Sequence, residues 1–277
     1  MNNNLVLRIL TALVGAPLVI GMLYYNPVTL IIFFFLLNAL TLWEFYGLCS
    51  HIPNNAPTHF YLERFLGTVV GSFIFITLVF GWLGIIPWKW AALSIPLIFT
   101  YFIKELYVPS VSPFTRIAHN ILSYLYVTFP YVLSVILACP GEEFRPCRII
   151  GVFLLLWIND SGAYFGGRFL GQKPLFPRVS PKKTWEGAIL GGLFTLTASQ
   201  VLWRLLDEYG TLQWLGIGIV IVFFGNWGDL VESLLKRSIA VKDSGDILPG
   251  HGGFLDRFDA FLLSIPFIFC FVIISTH

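Results

Sequence analysis

Apolar residues fall in nine long runs separated by short polar segments, at approximately 5–25, 28–48, 66–86, 88–106, 118–139, 149–168, 185–206, 212–231 and 258–276. A bilayer core about 30 Å thick is crossed by a helix of about 20 mostly apolar residues, so each run qualifies or nearly qualifies as a span. The pattern predicts an all-α, polytopic integral membrane protein with about nine transmembrane helices. The opening MNNNLVLRIL carries no small-residue cleavage signal after its apolar run, so the first run is expected to be a retained span. No stretch between the runs is long enough for a soluble domain.

Composition narrows the class further. Hydrophobic residues make up 57% of the 277 and charged residues 12%, against soluble averages of about 45–50% and about 25%. That excludes a water-soluble enzyme, a disordered regulator and a secreted disulfide scaffold. The net charge of +2 is too small to imply a nucleic-acid partner by bulk electrostatics. Four cysteines form no CxxC pair, and Cys139 and Cys147 are expected to be unrelated free thiols rather than a bridge.

The placement of charge says more than its sum. With the N-terminus inside, 13 of the 17 Lys and Arg fall on the cytoplasmic side, which favours an N-in chain. Two charged loops in the second half lie two spans apart and therefore share a side under any count of the first half. The chain divides into an N-terminal multispan region, 1–148, and a C-terminal multispan region, 149–277, that carries both loops. In the first region Asn38 and Glu44 are the notable polar residues within spans, and Glu44 is expected to be an interfacial, solvated carboxylate.

Candidate chemistry lies in the second region. In WINDSGAYFGGRFLGQKPLFPRVSPKKTWEG (157–187) a span containing Asp160 leads into a loop with Arg168, Lys173, Arg178, Lys182 and Lys183, opposed by Glu186 alone. An acid inside a span is costly and marks either function or a local partner, here Arg168 two turns on. Five cations followed by a helix start suit a polyanion. The loop is not a Walker motif.

The stretch 225–260, GNWGDLVESLLKRSIAVKDSGDILPGHGGFLDRFDA, is denser still. Asp229, Ser233, Lys236 and Arg237 share one helical face, and Asp256 and Asp259 share another. Each has a plainer reading: Asp256 as a helix cap, Lys236 and Arg237 as stop-transfer charges, His251 as a loop histidine. Taken together, three carboxylates beside cations and a glycine-rich turn are what a metal-dependent phosphate reaction needs, with hard oxygen ligands for Mg²⁺.

Ser233-Leu234-Leu235-Lys236-Arg237, Lys242-Asp243, Gly245, Leu248-Pro249, His251-Gly252-Gly253-Phe254 and Asp256-Arg257-Phe258-Asp259 match every fixed position of a long signature. The run resembles the C-terminal motif of the phosphatidate cytidylyltransferases, or CDP-diacylglycerol synthases. Asp160-Ser161-Gly162, Gly167-Arg168 and Ser180-Pro181-Lys182-Lys183-Thr184 are similar to the same family. The resemblance implies a bacterial inner-membrane enzyme, active at the cytoplasmic face, that condenses CTP with phosphatidic acid. It implies Asp229, Asp256 and Asp259 as ligands of Mg²⁺, with or without a second cation. Lys236, Arg237, Lys242 and Arg257 would hold phosphates, Arg168, Lys182 and Lys183 would complete the polyanion site, and Asp160 would orient it. Ser233 and His251 would lie against substrate. A homodimer is also raised by the family. Competing readings are a relative acting on another lipid or polyprenol acceptor and, from a different class, an ion-coupled transporter.

Overall fold

The computed structural model of the protein describes residues 15–52, 60–107, 111–241, 244–245 and 252–275. The described residues are almost wholly helical. In chain order the helices are α1 (Gly15–Tyr24), α2 (Pro27–Cys49), α3 (Phe60–Trp82), α4 (Ser94–Tyr107), α5 (Pro113–Ala138), α6 (Cys147–Leu170), α7 (Trp185–Leu205), α8 (Thr211–Ser238) and α9 (Leu255–Ser275). Seven of them, α2, α3 and α5 to α9, are long and apolar enough to cross a membrane. The other two expected spans meet shorter helices: α4 has 14 residues and follows a 3₁₀ turn, Trp88–Leu93, and the described part of the first is α1 alone.

Two compact units emerge. The first comprises the described residues of 1–144 together with those of 239–257, and the second those of 145–238 and 258–277. The first boundary falls close to the sequence division at 148. The described residues of 239–257, however, group with the N-terminal helices.

In the first unit, α2 begins at a reciprocal cap. Asn26 Oδ1 accepts from Thr29 N at 2.8 Å, Thr29 Oγ1 accepts from Asn26 N at 3.3 Å, and Pro27 supplies a fixed φ in the first turn. Helix α5 contains a π-helical turn at Tyr124–Thr128. There Tyr124 joins a buried hydroxyl network: Tyr46 Oη lies 3.2 Å from Tyr124 Oη and 2.9 Å from Ser123 Oγ, and Tyr101 Oη lies 2.6 Å from Tyr124 Oη. Such bonds between helices replace those water cannot supply inside lipid. Charge is paired as tightly. Glu63 binds Lys104 at 2.6 Å and also Arg116, and Arg116 lies 3.5 Å from Glu105.

In the second unit, α6 and α7 meet along a seam of small residues. A Cβ on Gly162 would lie 2.9 Å from Gly191 Cα, and one on Gly166 would lie 3.0 Å from Gly187 Cα, so only glycine permits this backbone approach. Between the two helices runs a hairpin of β1 (Pro174–Phe176) and β2 (Ser180–Thr184), paired antiparallel. Thr184 caps α7 by accepting from Gly187 N at 3.2 Å. Glu186, the lone anion of the basic loop, accepts from Gln172 N at 3.1 Å and Lys173 N at 3.3 Å and so fixes the loop's start. Helices α8 and α9 touch at Gly228, where a Cβ would lie 2.6 Å from Ala260 Cα and Asp259 O. Stacked rings, Phe224 on Phe267 and Phe153 on Phe261, add contacts of α9 with α8 and α6. All four cysteines are free thiols.

Candidate active site

The close approach at Gly228 decides what the second unit presents. Asp229 and Glu232 are i and i+3 on α8, and Asp259 faces them from the first turns of α9. Ligand oxygens of Asp229, Glu232 and Asp259 all lie within 4.8 Å of one another. Glu232 is 1% exposed and Asp259 7%. Three carboxylates this close repel strongly, and burial removes the water that would screen them. Oxygen donors at this spacing fit a hard divalent cation, which takes carboxylate ligands on several sides.

Cations ring the cluster. Lys183, from β2, reaches Asp229 Oδ2 at 2.6 Å and Asn226 O at 3.4 Å. Lys236, buried, pairs with Glu232 Oε2 at 2.6 Å one turn along α8. Ser233 donates to Asp229 Oδ1 at 3.2 Å, and Asp259 Oδ1 accepts from Ala260 N at 2.6 Å. Each carboxylate is thus held in one orientation by a local donor.

Asp229 and Lys183 also line a cavity of about 430 Å³ that contains Asp160, Tyr164, Arg168, Lys182 and Asn226. Asp160 is open to this cavity, and the charges acting on it are Lys183 and Asp229. Arg168 donates to Tyr164 Oη at 3.1 Å instead of pairing with Asp160. The local-partner reading of Asp160 is therefore set aside: its neighbours come from the hairpin and α8. The α6–α7 seam, which brings 160–168 beside 182–184, is the reason.

Of the residues singled out in the sequence, Asp160, Arg168, Lys182, Lys183, Asp229, Ser233, Lys236 and Asp259 come together in the second unit. Arg237 lies exposed at the end of α8. Asp256 and Arg257 belong to the first unit. There Asp256 Oδ2 accepts from Ser244 N at 3.0 Å and Gly253 N at 2.9 Å, an arrangement that ties the first turn of α9 to the residues before it. Lys242 and His251 lie outside the described residues.

Two participants were not singled out. Glu232 could have been found, because i+3 from Asp229 is the same helical face. Asn226, whose carbonyl meets Lys183, carries no charge pattern to reveal it. A third residue corrects an expectation: Glu44 is not solvated but 1% exposed, with Oε2 accepting from Leu255 N at 2.8 Å.

The phosphatidate cytidylyltransferase of Staphylococcus aureus (strain COL) is 45% identical over 122 residues, 43% of this chain and 46% of that protein. That of Bacillus subtilis (strain 168) is 45% identical over 131 residues, 46% of this chain and 48% of that protein. The chain thus spans about half the length of the relatives it matches. The pattern of the Cytidylyltransferase family extends much further, over residues 6–275. Matched by that pattern along nearly its whole length, the chain belongs to the cytidylyltransferase family.

Proposed function

We propose that the protein condenses CTP with phosphatidic acid to give CDP-diacylglycerol and pyrophosphate, with Mg²⁺ as cofactor, at the cytoplasmic face of a bacterial inner membrane. The observation that carries this reading is the Asp229–Glu232–Asp259 cluster beside a cation-lined cavity, in a chain of the cytidylyltransferase family whose relatives are named for that reaction. In the reaction a phosphate oxygen of the lipid forms a bond to the α-phosphorus of CTP while the bond to pyrophosphate breaks. A phosphate monoester is already largely ionised at neutral pH, its second pKa being about 6, so no strong general base is required. What the protein must supply is alignment and neutralisation of two anionic reactants.

Asp229, Glu232 and Asp259 would hold the cation, which when bound neutralises phosphate charge. Lys183, Lys182 and Arg168 meet phosphates in the cavity, and Asp160 orients Lys183. Lys236 balances Glu232. Arg237, Lys242 and Arg257 are assigned to phosphates by the sequence motif, and His251 and Ser233 to the same neighbourhood. Asp256, a ligand in the sequence reading, serves here to order the start of α9. An interfacial location suits a reaction between a water-soluble nucleotide and a lipid headgroup, and the family resemblance adds a homodimer.

The test is pyrophosphate release by detergent-purified protein given CTP and phosphatidic acid, with and without Mg²⁺, and with ATP in place of CTP. Release that needs CTP, lipid and Mg²⁺ together is expected. Folded protein that releases none, or releases it equally without a divalent ion, overturns the proposal.

A further inference from the structure

Helix N-termini leave backbone N–H groups without partners, and inside a membrane protein such groups need a supplied acceptor. At α9 the acceptor comes from far away in sequence. Glu44, on α2, places Oε2 2.8 Å from Leu255 N and 3.4 Å from Ser244 Oγ. Its negative charge also complements the positive end of the α9 dipole.

The chain is shaped to let this carboxylate in. A Cβ on Gly245 would lie 3.1 Å from Glu44 Oε1, and a Cβ on Gly253 would overlap Glu44 Oε2 and Ser244 Oγ. A side chain at Gly253 would displace the carboxylate, and one at Gly245 would crowd it. Asp256 works from the other side, with one oxygen accepting from Ser244 N and Gly253 N. Two acids therefore stitch residues 244–245 to residues 252–256.

We infer that Glu44 is a positioning residue for catalysis. It fixes the first turn of α9, which carries Asp256 and Arg257 and, one turn later on the same helix, Asp259. The inference rests on the function proposed above. A carboxylate held to a backbone N–H sets both the rotation and the height of the turn it caps. An error of 1 Å in a catalytic group, even one caused from afar, lowers turnover by about a hundredfold.

The experiment compares Glu44→Ala, Glu44→Gln and Leu37→Ala in the pyrophosphate-release assay, with thermal unfolding measured on each. Leu37 lies on α2 two turns before Glu44, is buried, and reports what loss of packing alone does. Glu44→Ala is expected to lower kcat about a hundredfold, while the KM for CTP moves far less. Glu44→Gln keeps an oxygen for Leu255 N and should restore kcat to within about tenfold of the parent. The inference is overturned by unchanged kcat in folded Glu44→Ala, or by a loss that Leu37→Ala reproduces at equal thermal stability. An equal loss in Glu44→Gln and Glu44→Ala also overturns it. An inactive parent protein instead refutes the proposed reaction, so the two failures are told apart.

Discussion

The carboxylates of both units meet donors, but those of the second also face one another. In the first unit these acids meet donors: Glu63 has Lys104 and Arg116, the buried Glu44 has Leu255 N and Ser244 Oγ, and Asp256 has two backbone N–H groups. In the second unit three acids face one another within 4.8 Å, with Lys183 and Lys236 at the margin of the group. An acid surrounded by donors stabilises the fold, because its charge is compensated where it stands. Acids surrounded by acids destabilise it, and such an arrangement persists where a bound cation is needed. The lesson is that the neighbours of a buried charge, more than its burial, separate scaffold from site.

The sharpest way to break this comparison is Asp259→Asn. Turnover should fall by about a thousandfold, the scale of losing one preorganised charge contact at a reacting phosphate. Thermal stability without divalent ions should hold or rise, because one of three repelling charges is gone. A thermal scan with and without Mg²⁺ checks both halves: the parent should gain stability from the ion by mass action and the variant should gain less. A variant that unfolds on losing this charge would place Asp259 with the scaffold acids.

A smaller effect is expected from Lys183→Ala. The lysine lines the cavity and pairs with Asp229 there, so its removal should raise the KM for CTP by about ten- to a hundredfold, the worth of a charged hydrogen bond of about 1.5–3 kcal/mol. Titrating CTP in the same assay measures it. The smallest effect on turnover belongs to Glu63→Gln. Here Lys104 and Arg116 lose a compensating charge, which should lower stability by about 1–3 kcal/mol and leave kcat within about twofold. Chemical denaturation read against kcat checks it, and a loss of kcat without a loss of stability would erase the distinction between the units.

The sequence made the fold class legible because a lipid solvent admits few alternatives. Of the nine apolar runs, seven became helices long and apolar enough to span among the described residues, while the runs at 5–25 and 88–106 met shorter helices. Asp229 and Asp259 were readable from spacing, since residues three or four apart share a helical face. Glu44 was misread because position near a helix end suggests water, while its real surroundings are supplied by residues some 200 positions later. Asp160 was open to two readings for a similar reason: Arg168 is near it in sequence, but Lys183 and Asp229 are near it in space.

The sequence by itself determined the fold class, a polytopic all-α membrane protein, and which residue types gather at the ends of its apolar helices, because burial in lipid is decided by local composition and by backbone hydrogen bonding within each helix. Tertiary structure alone decided which charges meet. The contacts at Gly228 and along the Gly162–Gly191 and Gly166–Gly187 seam bring helix backbones close enough to join acids and bases from different elements. Such approaches depend on the packing of two surfaces at once, and no single segment carries that information.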